Sequence, residues 1–148
     1  MRPARLPLGP RLQLHQTNWS FPTDIEMWIH KQAEGLTLNF SCGTSFTGDV
    51  RVDLDKTVRP HVIADLNHPP FRDQSFDTVI CDPPYSFYNR FKWVNPIANL
   101  ARHKVLFSSP LVALRLQKDT WEKSWHVCET NTMFVRLWQI FIRKQTST

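Results

Sequence analysis

The residues Asp82-Pro83-Pro84-Tyr85 place an acid, two prolines and an aromatic directly after an apolar run. Asp82 offers a carboxylate acceptor, and the prolines fix φ and lack amide donors, which leaves the Pro83 carbonyl free to accept as well. An exocyclic amine on a nucleic-acid base has its lone pair delocalised into the ring, and acceptors for its hydrogens would pull the nitrogen toward tetrahedral geometry. Tyr85 could stack on a base taken out of its helix. The tetrad therefore indicates chemistry on an amino nitrogen, the alternative being a rigid turn after a buried strand.

Aromatic and cationic side chains are interleaved just beyond the tetrad, in residues 87–93. Such a mixture grips a strand of nucleic acid by stacking and charge. The same residues could equally form a hydrophobic flap over a cofactor. Under the first interpretation the substrate-binding residues are Tyr85, Tyr88, Asn89 and Lys92.

Small or acidic residues follow four successive apolar runs, as Gly43, Asp53, Asp65 and Asp82. In open α/β sheets ligands bind outside the carboxyl ends of the strands, so these residues are expected along one edge. A cofactor that carries an adenosine needs a close backbone approach, a carboxylate for the ribose hydroxyls and a polar group near the adenine amine. Gly43, Asp53 and Asp65 could supply these. Each residue alone is more typical of an ordinary turn or strand end, and their order carries the signal.

These segments, residues 38–44, 52–55, 63–65 and 70–85, resemble the consecutive motifs of class I S-adenosylmethionine-dependent methyltransferases. The D-P-P-Y tetrad is similar to the catalytic loop of the members that methylate adenine N6 or cytosine N4. The resemblance implies S-adenosyl-L-methionine as the cofactor, with its methionine part near Cys42 and Gly43 and its ribose at Asp53. It also implies that Asp65 and Leu66 flank the adenine. The implied cofactor-binding residues are Phe40, Ser41, Cys42, Gly43, Asp53, Asp65, Leu66 and Asp82, and the implied catalytic residues are Asp82, Pro83, Pro84 and Tyr85.

The elements that must position these residues are short apolar runs with turn residues between them. Together with the resemblance they predict an α/β fold, a Rossmann-like sheet that is mostly parallel, has few helices and ends in an antiparallel hairpin. The hairpin is expected around Asn131-Thr132, between residues 126–130 and 134–143. The other strand candidates are residues 36–40, 50–54, 62–64, 76–81 and 105–107.

Three helices are predicted. Thr23 and Glu26 have the spacing of a capping box, in which both side chains satisfy free amides, and Gly35 provides a left-handed stop. Two later helices are expected to start at Asn95-Pro96 and Ser109-Pro110, each with a capping residue before a first-turn proline. The face of the first helix that should pack on the sheet carries Ile25, Trp28, Ile29 and Ala33.

The chain departs from the family pattern at Ser45, which stands where a second glycine is usual, and in its short crossovers. Parallel crossovers normally need a dozen or more residues and a helix, whereas residues 43–49 and 56–60 leave no room for one. One face of the first half of the sheet would then expose apolar side chains. We therefore expect residues 1–20 and a second subunit, in a homodimer or with a partner protein, to cover that face.

The composition bounds the remaining possibilities. The chain has 148 residues, which suits one domain, taken as residues 21–148 after a basic, irregular arm of residues 1–20. A net charge of +5 permits contact with nucleic acid. Three distant cysteines and scattered histidines argue against disulfides and a metal site. Without an apolar leader or membrane-length segment, a cytoplasmic location is the default.

The leading interpretation is a methyltransferase that acts on adenine N6 or cytosine N4 in DNA. An RNA enzyme acting on an amino group of adenine or guanine is a close alternative, because the tetrad does not separate the two. A third interpretation, favoured by the shortened first motif, is a non-catalytic subunit that binds the cofactor or nucleic acid. The chain has no room for a separate target-recognition domain, so recognition is expected to come from a dimer, a partner protein, the basic arm or a structured RNA substrate that presents its own shape.

Overall fold

The computed structural model describes residues 21, 23–84, 91–109, 113–129 and 135–146. Several predicted features lie outside the described residues. These are the arm of residues 1–20, the start of the helix expected at Pro110, the Asn131-Thr132 turn, and Tyr85, Tyr88 and Asn89.

Seven strands form one sheet in the order β3-β2-β1-β4-β5-β7-β6. The pairs from β3 to β5 are parallel, and β7 runs antiparallel to both β5 and β6, so the predicted mostly parallel sheet with a terminal hairpin is confirmed. The strands are β1 (Thr37–Phe40), β2 (Val50–Asp53), β3 (Val62–Ile63), β4 (Phe76–Cys81), β5 (Ala101–Ser109), β6 (Trp121–Glu129) and β7 (Val135–Arg143). The described helices are α1 (Thr23–Gln32), α2 (Val94–Asn99) and the 3-10 turns Lys56–Val58 and Phe91–Trp93.

Helix α1 packs on one face of the sheet, as its apolar periodicity predicts. Ile25 and Ile29 are buried, and Trp28 packs against the same cluster. Trp138 of β7 forms its far wall, with its ring centroid 5.8 Å from that of Trp28. The predicted capping box is not formed, because Glu26 accepts hydrogen bonds from the hydroxyls of Ser45 and Thr47 instead.

The turn after α1 depends on Gly35, although the helix itself ends at Gln32. Gly35 has a φ of +59°, and a Cβ there would lie 2.3 Å from Asp77 Oδ2. That carboxylate accepts a hydrogen bond from the Leu36 amide at 2.8 Å. The expectation of a left-handed glycine is therefore confirmed, and the close approach of Asp77 adds a steric reason for it.

The opposite face of the sheet holds the larger core. Helix α2 covers this face with Val94, Ile97 and Ala98, all buried, so a helix is present where Asn95-Pro96 predicts one. The predicted Asn95 cap is wrong, because the helix begins at Val94, its N-cap residue is Trp93, and no side chain caps it. Trp93 is fully buried just before α2, with its ring centroid 5.5 Å from that of Phe107. The predicted helix is shorter than expected, because Ala101 already belongs to β5.

Neither crossover at the start of the sheet contains an α-helix, as their lengths predict. Residues 41–49 have no regular structure, and residues 54–61 hold only the 3-10 turn. The expected apolar face is different, because the strands direct the polar residues Thr37, Asn39 and Arg51 toward the α1 side. Asn39 Nδ2 donates to Thr47 O at 3.1 Å, so the β1–β2 loop itself closes over the face. The second subunit expected there stays a prediction.

The helix expected after Ser109 is not present in residues 113–117, which are irregular. Side chains bind the backbone of this segment, and they occupy groups that a helix would pair internally. The Leu114 amide donates to Gln139 Oε1 at 2.7 Å, and Lys123 Nζ donates to Leu114 O at 2.7 Å. Leu114 thereby enters the core.

Ile29→Ala should lower the free energy of unfolding by about 2–5 kcal/mol, because it leaves a cavity between α1 and the sheet. Ile29 has no exposed surface, whereas Met27 on the same helix is 58% exposed. Met27→Ala should therefore change stability by no more than about 0.5 kcal/mol. Urea denaturation followed by circular dichroism measures both values. Equal effects from the two substitutions would contradict this packing of α1.

Candidate functional site at the carboxyl edge of the sheet

The register of the parallel strands aligns the ends of β1, β2 and β4. Phe40 pairs with both Val52 and Cys81, so these three residues form one row across the sheet. The next residues along each strand are Ser41, Asp53 and Asp82. Neighbouring strands are about 4.8 Å apart, so this second row brings the acids to either side of the residue that follows β1. The predicted convergence of strand-end residues is found here.

Asp53 closes the loop after β1. Its Oδ2 accepts a hydrogen bond from the Gly43 amide at 2.8 Å, and its Oδ1 accepts one from the Asp55 amide at 2.9 Å. Ser41 and Gly43 both have positive φ, +59° and +53°, which turns the chain sharply above the sheet. Each carboxylate oxygen can accept a second hydrogen bond, so Asp53 keeps acceptor capacity toward a ligand.

Two buried thiols lie beneath this edge. Burial, followed by the nearby Asp53 carboxylate, raises the pKa of Cys42 to about 11. Burial also raises the pKa of Cys81 well above its usual value, and the Asp82 and Asp53 carboxylates raise it further. Both acids are therefore close enough to act on one thiol. Protonated, buried thiols are poor nucleophiles, so these cysteines contribute packing rather than covalent chemistry.

Asp65 and Leu66 follow β3 on the same edge. Asp65 Oδ1 accepts a hydrogen bond from the Asn67 amide at 3.0 Å, which is the main cause of the lowered pKa of Asp65. The Leu66 side chain is only 4% exposed and packs in the core, as Phe40 does at 1%. At Phe40 and Leu66, a ligand bound at this edge would therefore meet the backbone, because both side chains are buried in the core.

Leu54 was not singled out as a site residue by the sequence. It directly follows Asp53 and is 64% exposed, which is unusual for a leucine beside a core strand. An apolar surface next to a carboxylate suits the flat face of a base whose attached ribose meets the acid. In the sequence, Leu54 is an apolar residue immediately after Asp53, and this pattern predicts the last residue of a strand rather than part of a binding surface.

The predicted catalytic loop continues from β4. Asp82 is partly buried, Pro83 is buried and Pro84 is exposed. Lys92 is exposed in the 3-10 turn that precedes α2, and Trp93 anchors this turn in the core. The loop therefore leaves a buried strand through a fixed proline and returns at a buried tryptophan, so its two ends are held by the core.

Two surface cavities lie at the opposite, amino edge. They measure about 190 and 570 Å³ and share Thr120 and Arg143 as lining residues. Arg143 is held there by hydrogen bonds to Ala101 O and by the Trp121 ring, 4.3 Å from its guanidinium carbon. The two cavities are separated from Asp53 and Asp82 by the length of the strands. Their polar, shallow lining is a weaker candidate for chemistry than the carboxyl edge.

Within the described part of the chain, no group of three or more His, Cys, Asp or Glu residues is arranged to hold a metal ion. A search of the same residues finds no helix that is long and apolar enough to cross a membrane.

Alkylation should test the environment of the two thiols. With a pKa of about 11, about one Cys42 thiol in a thousand is ionised at pH 8, and burial blocks access as well. In a Cys128→Ser background, iodoacetamide should modify Cys42 and Cys81 at least about 100-fold more slowly in the native protein than in urea. Mass spectrometry of the peptides measures each rate. Rapid modification of native Cys42 would contradict its placement beneath Asp53.

Solved structures share this fold at low sequence identity. PH0226 from Pyrococcus horikoshii OT3 has a TM-score of 0.53 and 11% identity, over 93% of this chain and 88% of its own. HI0767 from Haemophilus influenzae, a proposed methylase, has a TM-score of 0.51 and 16% identity, over 94% and 100%. A SAM-dependent methyltransferase from Aquifex aeolicus has a TM-score of 0.52 and 12% identity, over 93% and 100%. No protein-family model and no curated protein sequence matches the chain. The chain therefore has a Rossmann-like class I methyltransferase fold.

Proposed function

We propose that this protein transfers a methyl group from S-adenosyl-L-methionine to an exocyclic amino nitrogen of a nucleic-acid base, adenine N6 or cytosine N4 in DNA. The observation that carries the proposal is the row formed by Ser41, Asp53 and Asp82. It puts a carboxylate suited to a ribose on one side of the β1 loop and the acid of the D-P-P-Y tetrad on the other. A donor and an acceptor of the methyl group would then meet above β1.

The residues at the edge fit the proposed cofactor. Asp53 has acceptor capacity for ribose hydroxyls, and Leu54 offers an apolar face for adenine. Asp65 follows β3 on the same edge of the sheet. Thr44 Oγ1 is buried next to Gly43 and has no hydrogen-bond partner among the described residues, so a polar group bound there would find a hydroxyl donor. Gly43 permits close approach of the methionine part. When bound, the cofactor would supply a methyl group activated by a sulfonium centre.

The chain's own contribution to the reaction is to prepare the amine. Asp82 and the Pro83 carbonyl would accept hydrogen bonds from the two amino hydrogens, which draws the nitrogen lone pair out of conjugation and directs it at the methyl group. The N–C bond would form as the S–C bond breaks with its electron pair on sulfur, and the methylated nitrogen would lose one proton to Asp82 or to water. Pro83 is buried, which restricts the movement of its carbonyl. As a proline it also has no amide N–H of its own. Tyr85 would stack on the base, and Tyr88, Asn89 and Lys92 would hold the surrounding nucleic acid.

The alternative of a non-catalytic subunit draws on a specific observation. Ser45, at the position of the usual second glycine, turns its side chain inward and is 2% exposed. The loop departs from the family pattern at this position, as it would in a subunit that has lost catalytic activity. An RNA substrate is the other alternative, and the transfer assay described below separates it from DNA.

Asp53→Ala should weaken binding of S-adenosylmethionine about 10- to 100-fold, because it removes the ribose acceptor and the support of the Gly43 amide. Isothermal titration calorimetry measures the dissociation constant. Asp73→Ala is the matched control, since Asp73 is an exposed acid at the amino edge and should leave binding unchanged. Absence of binding by the unmodified protein would refute the cofactor assignment.

Asp82→Ala should lower the rate of methyl transfer by at least about 100-fold, because the amine loses its charged acceptor. Tritiated S-adenosylmethionine is incubated with DNA, RNA and protein extract in parallel, which also identifies the substrate class. Asp73→Ala again serves as the control. Transfer that persists in Asp82→Ala would overturn the mechanism, and binding without transfer to any substrate would favour the non-catalytic subunit.

A further inference from the structure

The segment Ser45-Phe46-Thr47, here called the strap, takes the place of a crossover helix between β1 and β2. Its side chains alternate, as Ser45 and Thr47 are 2% and 3% exposed while Phe46 is 86% exposed. The two inward residues are polar, so the strap is not held by apolar burial. The hydrogen bonds of Ser45 and Thr47 must therefore keep the strap in place.

Glu26 of α1 is the centre of those hydrogen bonds. Its Oε1 accepts one from Ser45 Oγ at 3.0 Å and another from Thr47 Oγ1. The Thr47 hydroxyl also lies 3.5 Å from His30 Nε2, one turn further along α1. A single carboxylate oxygen thus joins α1 to both inward residues of the strap.

The other contacts connect the strap to the loop of the candidate site. The Ser45 amide donates to Cys42 O at 3.1 Å, and the Thr47 amide donates to Ser45 Oγ at 3.1 Å. One residue after Cys42, the Gly43 amide is bound by Asp53 Oδ2. The loop is therefore held at Gly43 by β2 and at the strap by α1, which binds the Ser45 and Thr47 side chains. The sheet holds the strap as well, because Asn39 and Arg51 donate to the backbone carbonyls of Thr47 and Ser45. Only Thr44 lies between the Gly43 attachment and the strap.

We infer that Glu26 is a positioning residue for the cofactor site, which sets the height of Gly43 above the sheet through the strap. This inference rests on the proposed function, since it assigns a role in binding S-adenosylmethionine. Without Glu26 the two buried hydroxyls lose their shared acceptor, and the polar strap has little apolar contact to hold it. The Gly43 amide keeps Asp53 Oδ2 as its acceptor, but the residues that follow Gly43 are held less firmly, so the ribose and methionine contacts are formed together less often.

Glu26→Ala should raise the dissociation constant of S-adenosylmethionine by about 10-fold, the effect of losing charge-assisted hydrogen bonds that order the loop. Glu26→Gln keeps an amide oxygen as acceptor and should bind within about threefold of the unmodified protein. Thr47→Val, which removes one hydroxyl at similar volume, should give an intermediate loss. Asp24→Ala is the matched control, because Asp24 is an exposed acid in the same helical turn, and within the described part of the chain its Oδ1 accepts from the adjacent Ile25 amide and not from the strap.

Amide hydrogen exchange followed by NMR separates the positioning role from a general loss of stability, and it needs no cofactor. In Glu26→Ala, exchange should accelerate at Ser45, Thr47 and Gly43, while the Asp49 amide, bound to Thr37 O at 2.9 Å, keeps its protection. Acceleration at all four amides would indicate general unfolding and overturn the inference. Acceleration confined to Ser45 and Thr47 would overturn it too, since Gly43 would then be positioned independently.

The two proposals fail in different ways. If the unmodified protein does not bind S-adenosylmethionine, the proposed function fails, and the cofactor role of Glu26 fails with it, whatever the exchange data show. If the unmodified protein binds and Glu26→Ala binds equally well, only the positioning role is overturned. Tight binding by Glu26→Gln with weak binding by Glu26→Ala supports both.

Discussion

The burial of one row of side chains fixes where the candidate site of this protein lies. Phe40 of β1 is paired with Val52 of β2 on one side and with Cys81 of β4 on the other, and all three point into the larger core. Successive residues of a strand point to opposite faces, so a slip of one residue would bury the acids and expose the core. Asp53 and Asp82 leave the sheet together because the residues before them are buried together.

The short crossovers impose a second constraint, which the sheet meets with polar groups. Apolar side chains on the α1 side of β1 and β2 would need a helix to cover them, and the loop of residues 41–49 is too short to form one. The strands instead present Thr37, Asn39 and Arg51, and the side chains of Asn39 and Arg51 donate to backbone carbonyls of that loop. Arg51 Nη1, for example, donates to Ser45 O at 3.3 Å. Hydrogen bonds are directional, so such a covering fixes the loop more closely than apolar packing of similar extent would.

The sequence predicted the elements whose signal is local. β4 was predicted over its full length because Phe76–Cys81 is an apolar run between turn residues. β5 was predicted only as residues 105–107 although it spans Ala101–Ser109, because Lys104 and the two serines are polar. They are buried through distant partners, as Lys104 Nζ donates to Gln32 O at 2.8 Å. The prediction of a helix after Ser109 fails in residues 113–117 for the same reason, because the Leu114 amide donates to Gln139, which lies in β7 late in the chain.

The candidate site was predictable to the same extent. Acids that follow strands are visible in the sequence, and the parallel register brings them together. The expectation that Glu26 caps its own helix is wrong, because its partners Ser45 and Thr47 are 19 and 21 residues away in the sequence and are brought to it by the tertiary fold. Leu54 was missed because its exposure depends on where β2 ends.

The charge of the described carboxyl edge bears on the proposed substrate. Asp53, Asp55, Asp65 and Asp82 gather there in a chain whose net charge is +5. Four carboxylates suit hydroxyl and amine donors, and they repel a phosphate backbone. A nucleic acid that presents one base to Asp82 would have to direct its phosphates away from β2 and β3, toward the side where Lys92 is exposed. Such an approach favours a base that is separated from its neighbours, as in a flipped or single-stranded nucleotide, over one read within an intact helix.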